Sequence, residues 1–139
     1  MKLKDLVAVT GMSGLYKMAG NRNNGMILED LDSGKRRFAS MRKHQFTPLE
    51  SIAIYTNDDS TEIAKVFRNM LQQKEDNPPV KVSAKSDVVR EYFTDILPDY
   101  DPDRVHVSDM KKVIKWFNFL DERGLLSLEE EKITSDEEE

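Results

Sequence analysis

Ser51-Ile52-Ala53-Ile54-Tyr55-Thr56-Asn57-Asp58-Asp59-Ser60-Thr61-Glu62-Ile63-Ala64-Lys65-Val66-Phe67-Arg68-Asn69-Met70-Leu71 contains the change of period on which the fold turns. Ser51 to Thr56 is strand-length and rich in β-branched and aromatic residues. Beyond Asn57 the apolar residues Ile63, Val66, Phe67, Met70 and Leu71 recur at three- and four-residue spacing, the signature of one buried helical face. The boundary between β and α structure is therefore placed at 57/58.

Four further strands are predicted before it, at Leu6–Val9, Gly14–Met18, Met26–Leu31 and Arg36–Ala39. They are separated by Gly11 with Gly14, by Gly20-Asn21-Arg22-Asn23-Asn24-Gly25 and by Asp32-Ser33-Gly34, where Gly and Asn accept the positive φ of tight hairpins. Five short strands in so short a segment are too few for a broad sandwich but suffice for a small closed barrel, which removes exposed edges. The expected fold class is α+β: an SH3-like β-barrel at residues 1–57, a three-helix unit at 58–124, and an acidic tail at 125–139 whose end is expected to be disordered.

Asp59-Ser60-Thr61-Glu62 supplies a capping residue and a Glu, so a first helix is predicted at about 60–74, stopped by Glu75-Asp76-Asn77-Pro78-Pro79. A second starts near Ser86, turns Val88, Val89, Tyr92, Phe93, Ile96 and Leu97 inward, and ends before Pro98. A third starts after Ser108, buries Met110, Val113, Ile114, Phe117 and Leu120, and stops at Gly124. Val80-Lys81-Val82-Ser83 and Val105-His106-Val107-Ser108 share a Val-x-Val-Ser pattern, which leaves open a short ribbon pairing Val80–Val82 with Val105–Val107.

The 139 residues are 38% hydrophobic and 34% charged with a mean hydropathy of -0.63, polar for a globular chain but enough for a modest core. The absence of cysteine excludes disulfides, thiolate zinc and iron–sulfur sites and a cysteine nucleophile, and no cofactor is expected. No apolar run approaches the roughly 18 residues of a membrane span, and Met1-Lys2-Leu3-Lys4-Asp5-Leu6 lacks the apolar core of a signal peptide. A cytoplasmic protein without membrane partners is expected. The net charge of -5 is unevenly spread: residues 1–57 hold nine Lys/Arg against five acids, whereas 121–139 hold nine acids against two bases.

Catalytic and metal motifs fail on spacing. Asp99-Tyr100-Asp101-Pro102-Asp103 opens like a calcium loop, but Arg104 stands where the turn requires Gly and Met110 where a bidentate Glu closes the cage. Gly11-Met12-Ser13-Gly14 lacks the pentapeptide spacing of a hydrolase elbow and reads as a β-turn serine. Gly20 to Gly25 has no Gly-Lys-Ser/Thr and no helix after it, and His44 and His106 form no local metal pair. No enzyme is expected.

Basic residues carry the one functional signal. Lys35, Arg36, Arg37 and Phe38, then Arg42 and Lys43, bracket one strand and its exit, with Tyr16 nearby on a barrel rim. Cations follow phosphates and rings stack on bases, so the expected function is a binding module for RNA or another polyanion, an acidic protein surface included. The same charges also suit a solvated edge that resists strand aggregation, or a partner for the chain's own tail. Trp116 and Phe119 fall off the buried stripe of the third helix, which points to the alternative, an adaptor forming a homodimer through its helical half.

Val9-x-Gly11-x-x-Gly14-Leu15-Tyr16-Lys17, Leu31-Asp32-Ser33-Gly34-Lys35-Arg36-Arg37, Ile52-Ala53-Ile54-Tyr55-Thr56, Pro98-Asp99-Tyr100-Asp101-x-Asp103-Arg104-Val105 and Ser108-Asp109-x-Lys111-Lys112 followed by Trp116 together resemble a family of short uncharacterised Bacteroidetes proteins classed as a domain of unknown function. The resemblance extends to about Leu120. It implies a cytoplasmic, stand-alone bacterial protein and brings neither an activity nor site residues.

Overall fold

Leu6-Val7-Ala8-Val9 has no polar side chain to turn toward water, and in the computed structural model, which describes residues 3–12 and 14–126, it is the strand buried on both faces. It is β1 (Leu6–Val9), followed by β2 (Leu15–Arg22), β3 (Gly25–Asp30), β4 (Arg36–Ser40) and β5 (Phe46–Pro48) in one antiparallel sheet of order β4-β3-β2-β1-β5. Single 3-10 turns at Leu3–Asp5 and Leu49–Ser51 flank the sheet. A ribbon of β6 (Ala53–Tyr55) with β7 (Ser60–Glu62) and three helices complete the α+β chain: α1 (Ile63–Gln73), α2 (Ser86–Ile96) and α3 (Val107–Glu122). The two compact units meet between Ile52 and Ala53 in the sequence, ahead of the expected 57/58.

In the sheet, Val7, Val9, Leu28 and Ala39 form a buried cluster on one face, with Met12, Tyr16, Met18, Met26 and Phe46 partly buried against it. Ala19 is the extra residue of a bulge, since Met18 stands opposite Leu28 and Gly20 opposite Ile27. The Asn23-Asn24 turn closes the β2–β3 hairpin with no positive φ; that conformation is confined to glycines among the described residues, Gly34 in the β3–β4 loop being one. The aspartate of that loop organises it, with Asp30 Oδ1 accepting from the Asp32 and Ser33 amides at 2.8 and 2.9 Å.

Four sequence expectations change here. The fifth strand of the sheet is Phe46–Pro48, paired with β1; Ser51–Thr56 instead supplies β6, because Ile54 has its partner in Thr61. The sheet is not a closed barrel: β4 and β5 end its order, and no ladder joins them among the described residues. The ribbon of the second unit is β6 with β7, while Val80–Val82 and Val105–Val107 stay unpaired; Ser60-Thr61-Glu62 is consumed as a strand and makes no side-chain cap on α1.

The helices pack as their spacing demands. Ile63, Val66, Phe67 and Met70 of α1, Val89, Tyr92, Phe93 and Ile96 of α2, and Met110, Val113, Ile114, Phe117 and Leu120 of α3 are buried, whereas Val88 is exposed. Phe67 meets Phe117 with ring centroids 6.4 Å apart. Asn69 Nδ2 and Gln73 Nε2 of α1 donate to the Ile96 and Asp95 carbonyls at 3.1 and 3.0 Å, satisfying the orphan C-terminal carbonyls of α2. Gly124, at φ 66, ends α3 in a Schellman motif: its amide donates to Asp121 and that of Leu125 to Leu120. The acidic-tail expectations fall on residues outside the described ones from 127 onward, as does the turn reading of Ser13.

Candidate polyanion-binding edge

β4 carries Arg36, Arg37 and Phe38, and its two flanking turns carry Lys35 on one side and Arg42 and Lys43 on the other, so the five expected cations lie along one edge of the sheet. All five are exposed. Arg36 Nε meets Glu29 Oε1 at 2.9 Å across the ladder, where the two residues stand directly opposite. With the Arg36 side chain 65% exposed, such a pair contributes at most about 1 kcal/mol and is easily exchanged for another anion. Lys35, Arg37, Arg42 and Lys43 have no side-chain ion pair among the described residues.

Strand alternation distributes these groups over two faces. Arg37 lies opposite Leu28 and shares its face with Ala39, Tyr16 and Met18. Arg36 and Phe38 lie on the other face, Phe38 opposite Ile27. Tyr16 and Phe38 are therefore not brought together, and they cannot stack on one run of bases. Phe38, 45% exposed, covers Gly25, whose missing Cβ leaves the ring its space.

The turn holding Arg42 and Lys43 is pinned. The Lys43 and His44 amides both donate to the Ser40 carbonyl, at 3.2 and 3.1 Å, and the Arg42 amide donates to Ser40 Oγ at 3.1 Å. His44 Nδ1 donates to the Thr10 carbonyl at 2.8 Å; the acceptor is a carbonyl, so the proton resides on Nδ1. The Gln45 amide donates to Thr10 Oγ1 at 2.8 Å, and Thr10 in turn donates to the Gln45 carbonyl at 3.1 Å. Nothing in the sequence linked Thr10 to His44, because the two are joined only by strand order.

The other expected groups occupy the second unit. Trp116 and Phe119 are half-buried on α3, and the Arg123 guanidinium lies 3.7 Å from the Phe119 ring centre while its Nη1 donates to the Phe119 carbonyl at 2.9 Å. The aspartate-rich loop is structural: the Asp101 carboxylate accepts from the Asp103 amide at 2.9 Å and meets Arg104 Nε at 3.5 Å. Its backbone runs beside β6, with the Asn57 amide donating to Asp99 and the Asp101 amide to Tyr55, both at 2.9 Å. No group of three or more His, Asp or Glu is placed to hold a metal among the described residues, and no helix there is long and apolar enough to cross a membrane.

Tyr92 is 3% exposed, and its hydroxyl has no hydrogen-bond partner among the described residues. Burial raises its pKa above the ordinary 10.0, and the Asp95 carboxylate raises it further.

Comparison with known proteins follows the division of the fold. Residues 3–49 match the family described as Domain of unknown function (DUF5606), and residues 52–120 match Domain of unknown function (DUF6852). No curated protein matches the chain. A solution NMR structure from Bacteroides vulgatus, determined by a structural genomics consortium, is similar at 32% identity over 91% of each chain, with a TM-score of 0.72. With both domains in order and that relative alike across nearly its whole length, the chain belongs to an uncharacterised Bacteroidetes family of domain-of-unknown-function proteins.

Proposed function

We propose that the protein is a non-enzymatic binding module that holds a polyanion along β4 and its two flanking turns. The observation that carries this reading is the row Lys35, Arg36, Arg37, Arg42 and Lys43 on one sheet edge, exposed and with a single ion pair among the described residues. Cations on a pinned turn need little ordering on binding, which favours them over equally charged side chains on a loose loop. We also read the first unit as SH3-like in strand order, a meander whose fifth strand returns beside the first, left open between β4 and β5. The competing adaptor reading has less support, because the Phe119 ring that would anchor a dimer is already covered by Arg123.

The test is fluorescence anisotropy of the full chain with a labelled single-stranded RNA about 12 nucleotides long, and separately with labelled poly-glutamate, each over a salt series. Binding to at least one is expected, with the logarithmic salt slope for RNA falling by roughly 0.7 for each of Arg37→Ala, Arg42→Ala and Lys43→Ala. Absence of binding to both at low salt, or binding indifferent to these substitutions, overturns the reading.

A further inference from the structure

The β4 edge offers more than charge. The Met41 amide donates to the Asn24 carbonyl and the Asp30 amide to the Lys35 carbonyl, so the paired residues Ala39 with Met26 and Arg37 with Leu28 are the ones whose backbone groups face β3. Arg36, Phe38 and Ser40 consequently aim their backbone groups away from the sheet. The Ser40 carbonyl is taken by the turn, which leaves the amide and carbonyl of Arg36, the amide and carbonyl of Phe38, and the amide of Ser40 without a backbone partner among the described residues. The opposite edge is poorer: β5 has three residues and ends in Pro48, which has no amide to donate. β4 has five residues, no proline and no bulge.

From this edge we infer that the polyanion is an extended acidic polypeptide, which adds to β4 as a sixth, antiparallel strand; the inference rests on the binding reading above. A polypeptide strand satisfies both the donors and the acceptors of Arg36 and Phe38, whereas RNA phosphates accept from the amides and leave the carbonyls unanswered. On the face opposite Phe38, Arg37 lies at a position whose cross-strand neighbour would come closest, about 4.5 Å between Cα atoms, and a carboxylate there gains a guanidinium that has no ion pair among the described residues. A second copy of β4 is a poor occupant, because antiparallel pairing centred on Phe38 gathers four arginines on one short ladder. The matching partner alternates apolar residues, opposite Phe38, with acidic residues, opposite Arg37 and Ala39.

The probe is a labelled, acetylated heptapeptide alternating Glu and Val, tested against the full chain beside the single-stranded RNA. Opposite residues share a face, so the valines facing Phe38 point their amides at β4 and the glutamates point theirs at solvent. N-methylation of the valines is expected to weaken binding at least about tenfold, since it removes several hydrogen bonds, while N-methylation of the inner glutamates changes it by less than about threefold. Phe38→Pro deletes an outward amide without touching the β3 ladder and is expected to weaken binding about tenfold more than Phe38→Ala; the methylated peptides give the answer even if Phe38→Pro does not fold. If both methylated peptides bind like the parent while Arg37→Ala weakens all three, strand addition is overturned and the polyanion reading stands. RNA binding with no peptide binding has the same consequence. No binding of either probe at low salt overturns both.

Discussion

Gly25→Ala adds one methyl group to a strand whose φ is ordinary, so any cost comes from space alone. A Cβ built there lies 2.7 and 2.8 Å from Cζ and Cε1 of Phe38, and closer still to the carbonyl oxygen of Ala39. The ring can swing outward because Phe38 is 45% exposed, at the loss of a cross-strand contact worth about 0.5–1 kcal/mol. The carbonyl cannot yield so easily, since Ala39 is paired with Met26 in the ladder and moving it weakens a bond worth about 0.5–1.5 kcal/mol. With the strain of overpacking, typically about 1–3 kcal/mol, the expected destabilisation is about 2–5 kcal/mol. Urea unfolding followed by far-UV circular dichroism measures it, and amide exchange should show faster opening in β3 and β4 than elsewhere. The double variant Gly25→Ala with Phe38→Ala should recover less than half, because only the ring is relieved. A single variant within about 0.5 kcal/mol of the parent refutes the steric argument, and full recovery in the double variant would move the obstacle from the carbonyl to the ring.

Tyr92→Phe removes a buried hydroxyl with no partner among the described residues and is expected to stabilise the protein by about 1 kcal/mol in urea unfolding. The same phenol has its pKa raised in the folded state, so its titration leaves stability unchanged below the ordinary value of 10.0; as pH climbs past that value the unfolded chain loses the proton first and stability falls, by up to about 1.4 kcal/mol per pH unit, a slope that Tyr92→Phe should flatten. Asn69→Ala leaves the Ile96 carbonyl without its donor and should cost about 1–2 kcal/mol, with accelerated exchange in the last turn of α2, whereas the more exposed Gln73→Ala should cost less than about 1 kcal/mol. Phe117→Ala, at a fully buried position against Phe67, should cost about 3–5 kcal/mol by thermal or urea unfolding; a loss below about 1 kcal/mol would contradict the packing of α1 on α3.

The residues that mislead a linear reading are those with two plausible partners. Ser51–Thr56 is a good strand by composition, and Ala53–Tyr55 within it is one, but nothing in it says that Ile54 pairs with Thr61 rather than with the N-terminal sheet. Phe46-Thr47-Pro48 is short and ends in proline, so it reads as loop until β1 is seen to need a second neighbour. Ser60-Thr61-Glu62 has the residues of a helix start and spends them on a strand, pairing with Ala53–Tyr55 and leaving α1 without a side-chain cap. In the candidate site, the cations were legible as a cluster; their division between two faces, and the open backbone beside them, were not.

Sequence alone determined the three helices, their buried stripes apart from Val88, and the stop at Gly124, because each depends on residues within a turn or two of one another, and the lopsided charge besides. Tertiary structure decided which strands share a sheet, that Tyr16 and Phe38 part company, that His44 is tied to Thr10, and that β4 is an edge. Those facts depend on ladders between distant segments, where a one-residue change of register reverses every face, and no local pattern encodes the choice.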